Sequence, residues 1–305
     1  MENNFTKSQE TKEIEQPTIK EFSDSLSNFF EIISSATDEA LNIFQTKHTD
    51  YLKQYGEAIK KQINSKRIIK EINDFLNLAK NDLNAYKTLI KEKNYHNAIY
   101  HLQQSIEKTI KALLFFIIVD FNPKKIGHDF SNIMPLFKKN KLLSGFMKEF
   151  IVILEEKLNI FNSKSKLKLF GNTKIDLSNF WNNIDDKIFL RDFKEKMICI
   201  FSHENNSGII FFISMFLIFK NHIKNISNTK NEVSLNNIFY SSELYIFHMI
   251  LSPHEESTRY PKSNKNKMGP EDYTEKTSIF DFSNNISIES EEIIEHINKM
   301  ILNIK

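Results

Sequence analysis

Cysteine is almost missing from this chain: Cys199 is the only one in 305 residues. No internal disulfide can form, so the fold must hold by burial, and a reducing, cytoplasmic setting is expected. Breakers are scarce too, with 6 Gly and 6 Pro, which leaves few points where a helix is forced to stop. Arginine occurs three times among 41 basic residues, at Arg67, Arg191 and Arg259. The net charge of +2 is too small to mark a nucleic-acid binder from the global field alone. There is no Walker-type loop, no glycine-rich dinucleotide loop and no His-Glu-x-x-His helix, which removes the common nucleotide-dependent and zinc-hydrolase classes. A long hydrophobic run is also lacking. Ile209–Phe219, IIFFISMFLIF, is apolar but stops at Lys220, whereas about twenty residues are needed to cross a bilayer. It is expected to be a buried helix, and no membrane association is expected. The first twenty residues, rich in Glu, Lys, Thr and Gln, lack the apolar core of a secretory signal.

What is present is an apolar content of 40% with 27 phenylalanines, enough for one large core or two smaller ones. The apolar residues recur at helical rather than alternating spacing, so the expected class is all-α. Residues 1–22 carry dense charge without periodicity and are expected to form a flexible tail. Residues 23–65, with Leu26, Phe29, Phe30, Ile33, Ile43, Leu52, Ile59 and Ile63, predict one or two helices as an N-terminal extension. An antiparallel pair over 68–91 and 95–120 follows, joined at Lys93-Asn94. Further helices are expected at about 129–139, 142–160, 181–201, 209–226 and 234–252. Lysine clusters at Lys60-Lys61 with Lys66-Arg67, at Lys124-Lys125, at Lys138-Lys139 with Lys141 and at Lys262 to Lys267 each read, singly, as solvated surface. Cys199 and His203 sit four apart but lack an evident third ligand, so neither a metal nor any other cofactor is expected.

The segment Tyr95–Leu114, YHNAIYHLQQSIEKTIKALL, is the most informative. Ile99, Leu102, Ile106, Ile110 and Leu113 share one helix face, and the opposite face carries His101, Gln104, Glu107, Lys108 and Lys111. Downstream come Gly127-His128-Asp129 and then Arg259-Tyr260-Pro261 before a final amphipathic helix. In that order the pieces resemble the HEPN family, the helical domain named for higher eukaryotes, prokaryotes and nucleotide binding. The resemblance covers about 66–120 and then isolated pieces. It implies an antiparallel HEPN-like helical bundle over 66–305, enlarged by extra helices, with an inserted helical region at about 140–250.

Carried over residue by residue, the resemblance marks Gln104, Glu107, Lys108, Lys111, His128, Asp129, Arg259 and Tyr260 as ligand-binding positions. Lys108 and Lys111 would face phosphate, and Arg259 would grip it or pair with Glu107. The implied partners are a nucleotide or RNA, a second copy of the chain as a homodimer, and a nucleotidyltransferase supplied in trans, within a toxin–antitoxin or defence module. Many members are metal-independent ribonucleases marked by an arginine followed four to six residues later by a histidine. Here Arg67 is followed by His96, Arg191 by His203 and Arg259 by His296, all too distant. A non-catalytic binder is therefore the expectation. The alternatives are a metal-independent endoribonuclease joining Arg259 to His254, His128 or His101, and a protein-interaction scaffold. The reversed pair His254-x-x-x-x-Arg259 supplies one candidate arrangement.

Overall fold

The computed structural model describes residues 19–126, 133–164, 175–183, 240, 243–245, 247–248, 250–252, 254–260 and 269–304. Among these residues the chain is helical, with no strand. The helices are α1 (Ile19–Ile63), α2 (Lys66–Lys91), α3 (Tyr95–Leu114), α4 (Ile133–Lys139), α5 (Lys141–Lys164), α6 (Leu177–Asn183), α7 (His254–Ser257) and α8 (Phe280–Ile304). The patterns expected at 209–226 and over most of 181–201 and 234–252 lie outside the described residues, as does the apolar run Ile209–Phe219. Among the described residues no helix is long and apolar enough to cross a membrane.

The pair α2 and α3 is the centre of the molecule. Ile72, Leu76, Ala79, Leu83 and Tyr86 recur at three- and four-residue steps along α2 and meet Ile99, Leu102, Ile106, Ile110 and Leu113 of α3. Ala79 and Ala98 are fully buried, and the small side chain at Ala79 lets Ser105 Oγ donate to its carbonyl at 2.9 Å. The turn between the helices is a Schellman motif: Asn94 N donates to Leu89 O at 2.9 Å and Lys93 N to Ile90 O at 3.1 Å. Lys93 holds the left-handed conformation at φ 58° that glycine usually fills there. α8 completes this core with Ile286, Ile293, Ile294, Ile297 and Ile301, and Leu244, Phe247, Ile250 and Leu251 add to it. Tyr86 is tied to α8 by its hydroxyl, which donates to Ser283 Oγ at 2.8 Å.

α3 ends at Leu114, not at residue 120 as the apolar run alone predicts. Phe115 and Phe121 meet edge to face with ring centroids 4.9 Å apart, which requires the chain to fold back, and Asp120 takes a positive φ of 57° to do so. Gln62 at the end of α1 satisfies the polar groups this break frees. Its Nε2 donates to Phe115 O at 2.8 Å and Ile118 O at 3.0 Å, and its Oε1 accepts from Asp120 N at 2.6 Å.

The N-terminal region forms one long α1, whose backbone leaves helical geometry at His48 (φ −131°, ψ 25°). On one side of that kink Ile59 and Ile63 enter the main core. On the other, Ala36, Ala40 and Phe44 build a second core with Phe146 and Ile153 of α5. Gly145 makes this approach possible, because a Cβ there would sit 3.0 Å from the Phe44 ring. α5 in turn anchors α6: Glu155 accepts from Ser178 N at 2.9 Å and Ser178 Oγ at 2.8 Å.

Candidate functional site

Asp82 stands on α2 opposite a row of α3 formed by His101, Gln104 and Lys108, spaced so that they share a face. Its two carboxylate oxygens divide between two partners. Oδ1 lies 2.8 Å from His101 Nδ1, and Oδ2 accepts from Lys108 Nζ at 2.5 Å. An ionised carboxylate only accepts, so Nδ1 carries the proton and Nε2 of a neutral ring is left as the acceptor. His101 Nε2 has no hydrogen-bond partner among the described residues. Lys108 also reaches Gln104 Oε1 at 3.4 Å.

Arg259 arrives at this row from the segment after α7. Its guanidinium carbon stands 4.7 Å from the centroid of the Tyr100 ring, a cation–π contact. Tyr100 and His101 have ring centroids 5.3 Å apart. The two distances bound the separation of guanidinium and imidazole at 10.0 Å. Arg259 is exposed and makes no ion pair among the described residues. Its neighbour Tyr260 is 62% exposed, so it does not pack a helix end against the bundle.

The segment that presents Arg259 is held from below. Thr258 is buried and donates to His254 O at 2.9 Å. His254 is turned inward, with Nδ1 2.7 Å from the Tyr273 hydroxyl. Burial drives the Tyr273 phenol far above its ordinary value. Of the reversed pair His254–Arg259, the histidine is buried and engaged with Tyr273, and the arginine is exposed.

The remaining marked positions divide. Gln104, Glu107 and Lys111 are buried rather than presented on an open face. α3 contacts α2, α7, α8 and the Pro270–Asp272 turn, so its polar side is covered as well as its apolar one. Lys111 Nζ donates to Glu107 Oε1 at 2.7 Å, and Glu107 serves Lys111, not Arg259. His128 and Asp129 lie outside the described residues, as do Cys199 and His203. Asp82 and Tyr100 fall within the helices expected over 68–91 and 95–120, and the sequence singles out neither. A carboxylate at a half-covered position of α2 was the only local signal, and nothing in the chain near Tyr100 points to an arginine so far downstream.

Residues 72–166 match the sequence profile of the HEPN domain. This span begins inside the central helix pair, at Ile72 of α2, and runs through α5. Over those residues the chain is similar to the HEPN domain family. The chain is also similar to a curated protein of Methanocaldococcus jannaschii named "Putative toxin MJ1304", with 33% identity over 75 residues, 23% of this chain and 49% of the relative. The chain thus spans about half the length of that relative. No solved structure matches at a significant level. Asp82, Tyr100, His101 and Lys108 lie inside the span of the HEPN match, whereas Arg259 and α8 lie beyond it.

Proposed function

We propose that this HEPN protein acts on RNA as the toxin-like half of a toxin–antitoxin module and cleaves the strand without a metal ion. The observation that carries the reading is a guanidinium, Arg259, with no ion pair among the described residues, seated on Tyr100 beside His101, whose Nδ1 is held by Asp82. Arginine offers a planar fork of donors to phosphate that lysine lacks. A histidine oriented by a carboxylate presents Nε2 as a base. With the phosphate on Arg259, His101 Nε2 takes the proton of the adjacent ribose 2′-hydroxyl. The 2′-oxygen then attacks phosphorus, the bond to the 5′-oxygen breaks as the cyclic phosphate forms, the leaving oxygen takes a proton from water, and the His101 imidazolium gives its proton to the hydroxide left behind. Arg259 stabilises the charge that develops on the phosphate oxygens. The toxin name carried by the relative supports the same reading.

A non-catalytic RNA or nucleotide binder is the second reading. It is favoured by the absence of a histidine four to six residues after any arginine, and by Lys108, which shares Asp82 with His101. A homodimer and a nucleotidyltransferase supplied by another chain belong to the proposal in either form. The deciding experiment incubates the full-length protein with labelled RNA in a chelator, beside Arg259→Ala and His101→Gln. Cleavage that survives the chelator and is lost in both variants is expected. Retention of intact RNA, lost in Arg259→Ala alone, would establish the binder instead. Neither cleavage nor retention would end the RNA reading.

A further inference from the structure

The lysine clusters that look unremarkable one at a time in the sequence are gathered by the fold. Lys60 and Lys61 close α1, Lys66 and Arg67 open α2, and Lys124 and Lys125 sit in the short 3-10 turn after α3. Gln62 binds these pieces together: it lies between the first two clusters and holds the backbone of residues 115, 118 and 120 just before the third. Phe121, Ile126 and Ile63 enter one core beneath them. All six basic side chains are exposed, and none makes an ion pair or hydrogen bond among the described residues. The exposed acids nearest in the chain are Glu57 and Asp120, too few to neutralise the group. Unpaired lysines at this density hold a positive field that nothing in the described structure uses.

We infer that this end of the bundle is a second surface for the phosphate backbone of a single-stranded RNA, distinct from the Arg259 site. The choice of RNA over another polyanion rests on the function proposed above. Lys66 and Asp82 lie on the same helix, α2, and the sixteen residues between their numbers correspond to about 24 Å at 1.5 Å per residue. A stacked strand rising about 3.4 Å per nucleotide spans that distance in roughly seven nucleotides. Lys66 and Asp82 lie about 160° apart around α2 at 3.6 residues per turn, so this length is the minimum for a strand to reach both places, and a much shorter one reaches only one. The surface therefore selects for length and supplies affinity without reading sequence, because lysine ammonium groups meet phosphates and not base edges.

The test uses the full-length chain and 2′-O-methyl oligonucleotides, which bind without being cleaved: a tetranucleotide and a strand of about twenty nucleotides, long enough to touch both surfaces. The variant reverses Lys60, Lys61, Lys124 and Lys125 to Glu, and thermal melting confirms that it folds. Its affinity for the long strand is expected to fall about tenfold or more, with the slope of its salt dependence reduced by about 0.7 for each phosphate it no longer neutralises. Its affinity for the tetranucleotide is expected to stay at the wild-type value, whereas Arg259→Ala weakens both. Wild-type affinity of the reversed variant for the long strand overturns the second surface and leaves the Arg259 site standing. Loss of the long strand in the reversed variant, with tetranucleotide binding indifferent to Arg259, supports the second surface and removes the site. Poly-glutamate bound more tightly than RNA at the same salt overturns the inference in favour of an acidic protein partner.

Discussion

On the proposed reading, Arg259 serves chemistry and not stability. Its side chain is exposed and stacks on the Tyr100 ring, so Arg259→Ala is expected to change the melting temperature little, since an exposed contact of this kind is worth about 0.5–1 kcal/mol. Arg259→Lys keeps the charge but loses the fork, and RNA cleavage by this variant is expected to remain well below wild type when initial rates are compared. His296 makes a different argument, about pH. Burial, with Lys299 as a lesser cause, pushes its imidazole below the usual value of 6.5. In the window between the lowered native value and that of an unfolded histidine, the unfolded chain binds the extra proton, so stability falls as pH drops through the window and is fully present above it. His296→Gln is expected to flatten part of the loss in melting temperature between neutral and mildly acid pH. An unchanged slope would assign the acid sensitivity to other groups.

Helices α2 and α3 show what a sequence pattern can and cannot carry at the level of elements. Their existence, their pairing and the Lys93-Asn94 turn were legible because a 3.6-residue repeat of Ile, Leu and Ala identifies a buried face directly. The early end of α3 was not, since the ring contact between Phe115 and Phe121 and the Gln62 clamp are tertiary. Nor was the burial of Gln104, Glu107 and Lys111, because periodicity marks a polar face without saying what covers it. The Asp82–His101 and Arg259–Tyr100 contacts join residues on different elements, and no local signal encodes them. Two stability predictions belong here. Lys93→Gly relieves a left-handed backbone and is expected to stabilise the protein by about 1 kcal/mol in denaturant titration. Glu107→Ala leaves the Lys111 ammonium buried without its carboxylate and is expected to cost about 3–5 kcal/mol. The double change Glu107→Leu with Lys111→Met is expected to recover most of that loss, because both charges leave together.

For the whole molecule, the decisive fact is that α1 joins two cores that share few side chains. The larger one holds α2, α3, α8 and the end of α1, and the smaller one holds the first part of α1 against α5. The kink at His48 falls between them. α8 closes the larger core from far along the chain, through Tyr86 with Ser283 and the Lys87–Glu291 ion pair, so that core forms only when distant segments meet. Among the described residues the smaller core has five buried members, with Ile43, Met147, Phe150 and Leu154 packed partly buried against them, and is centred on the edge-to-face pair Phe44 and Phe146, whose ring centroids are 6.1 Å apart. Truncating either phenylalanine removes about 3–5 kcal/mol of packing, more than so small a cluster has to spare. Phe146→Ala is therefore expected to release the α1–α5 contact while the α2–α3–α8 core stays folded. Hydrogen exchange would read this directly: amides of residues 36–48 and 141–160 lose protection in the variant, and those of residues 76–86 and 99–113 keep it. Uniform loss across both sets would mean that the two cores unfold as one. In that case the N-terminal arm would be integral to the platform that carries His101 and Arg259, and cleavage of RNA would be lost along with it.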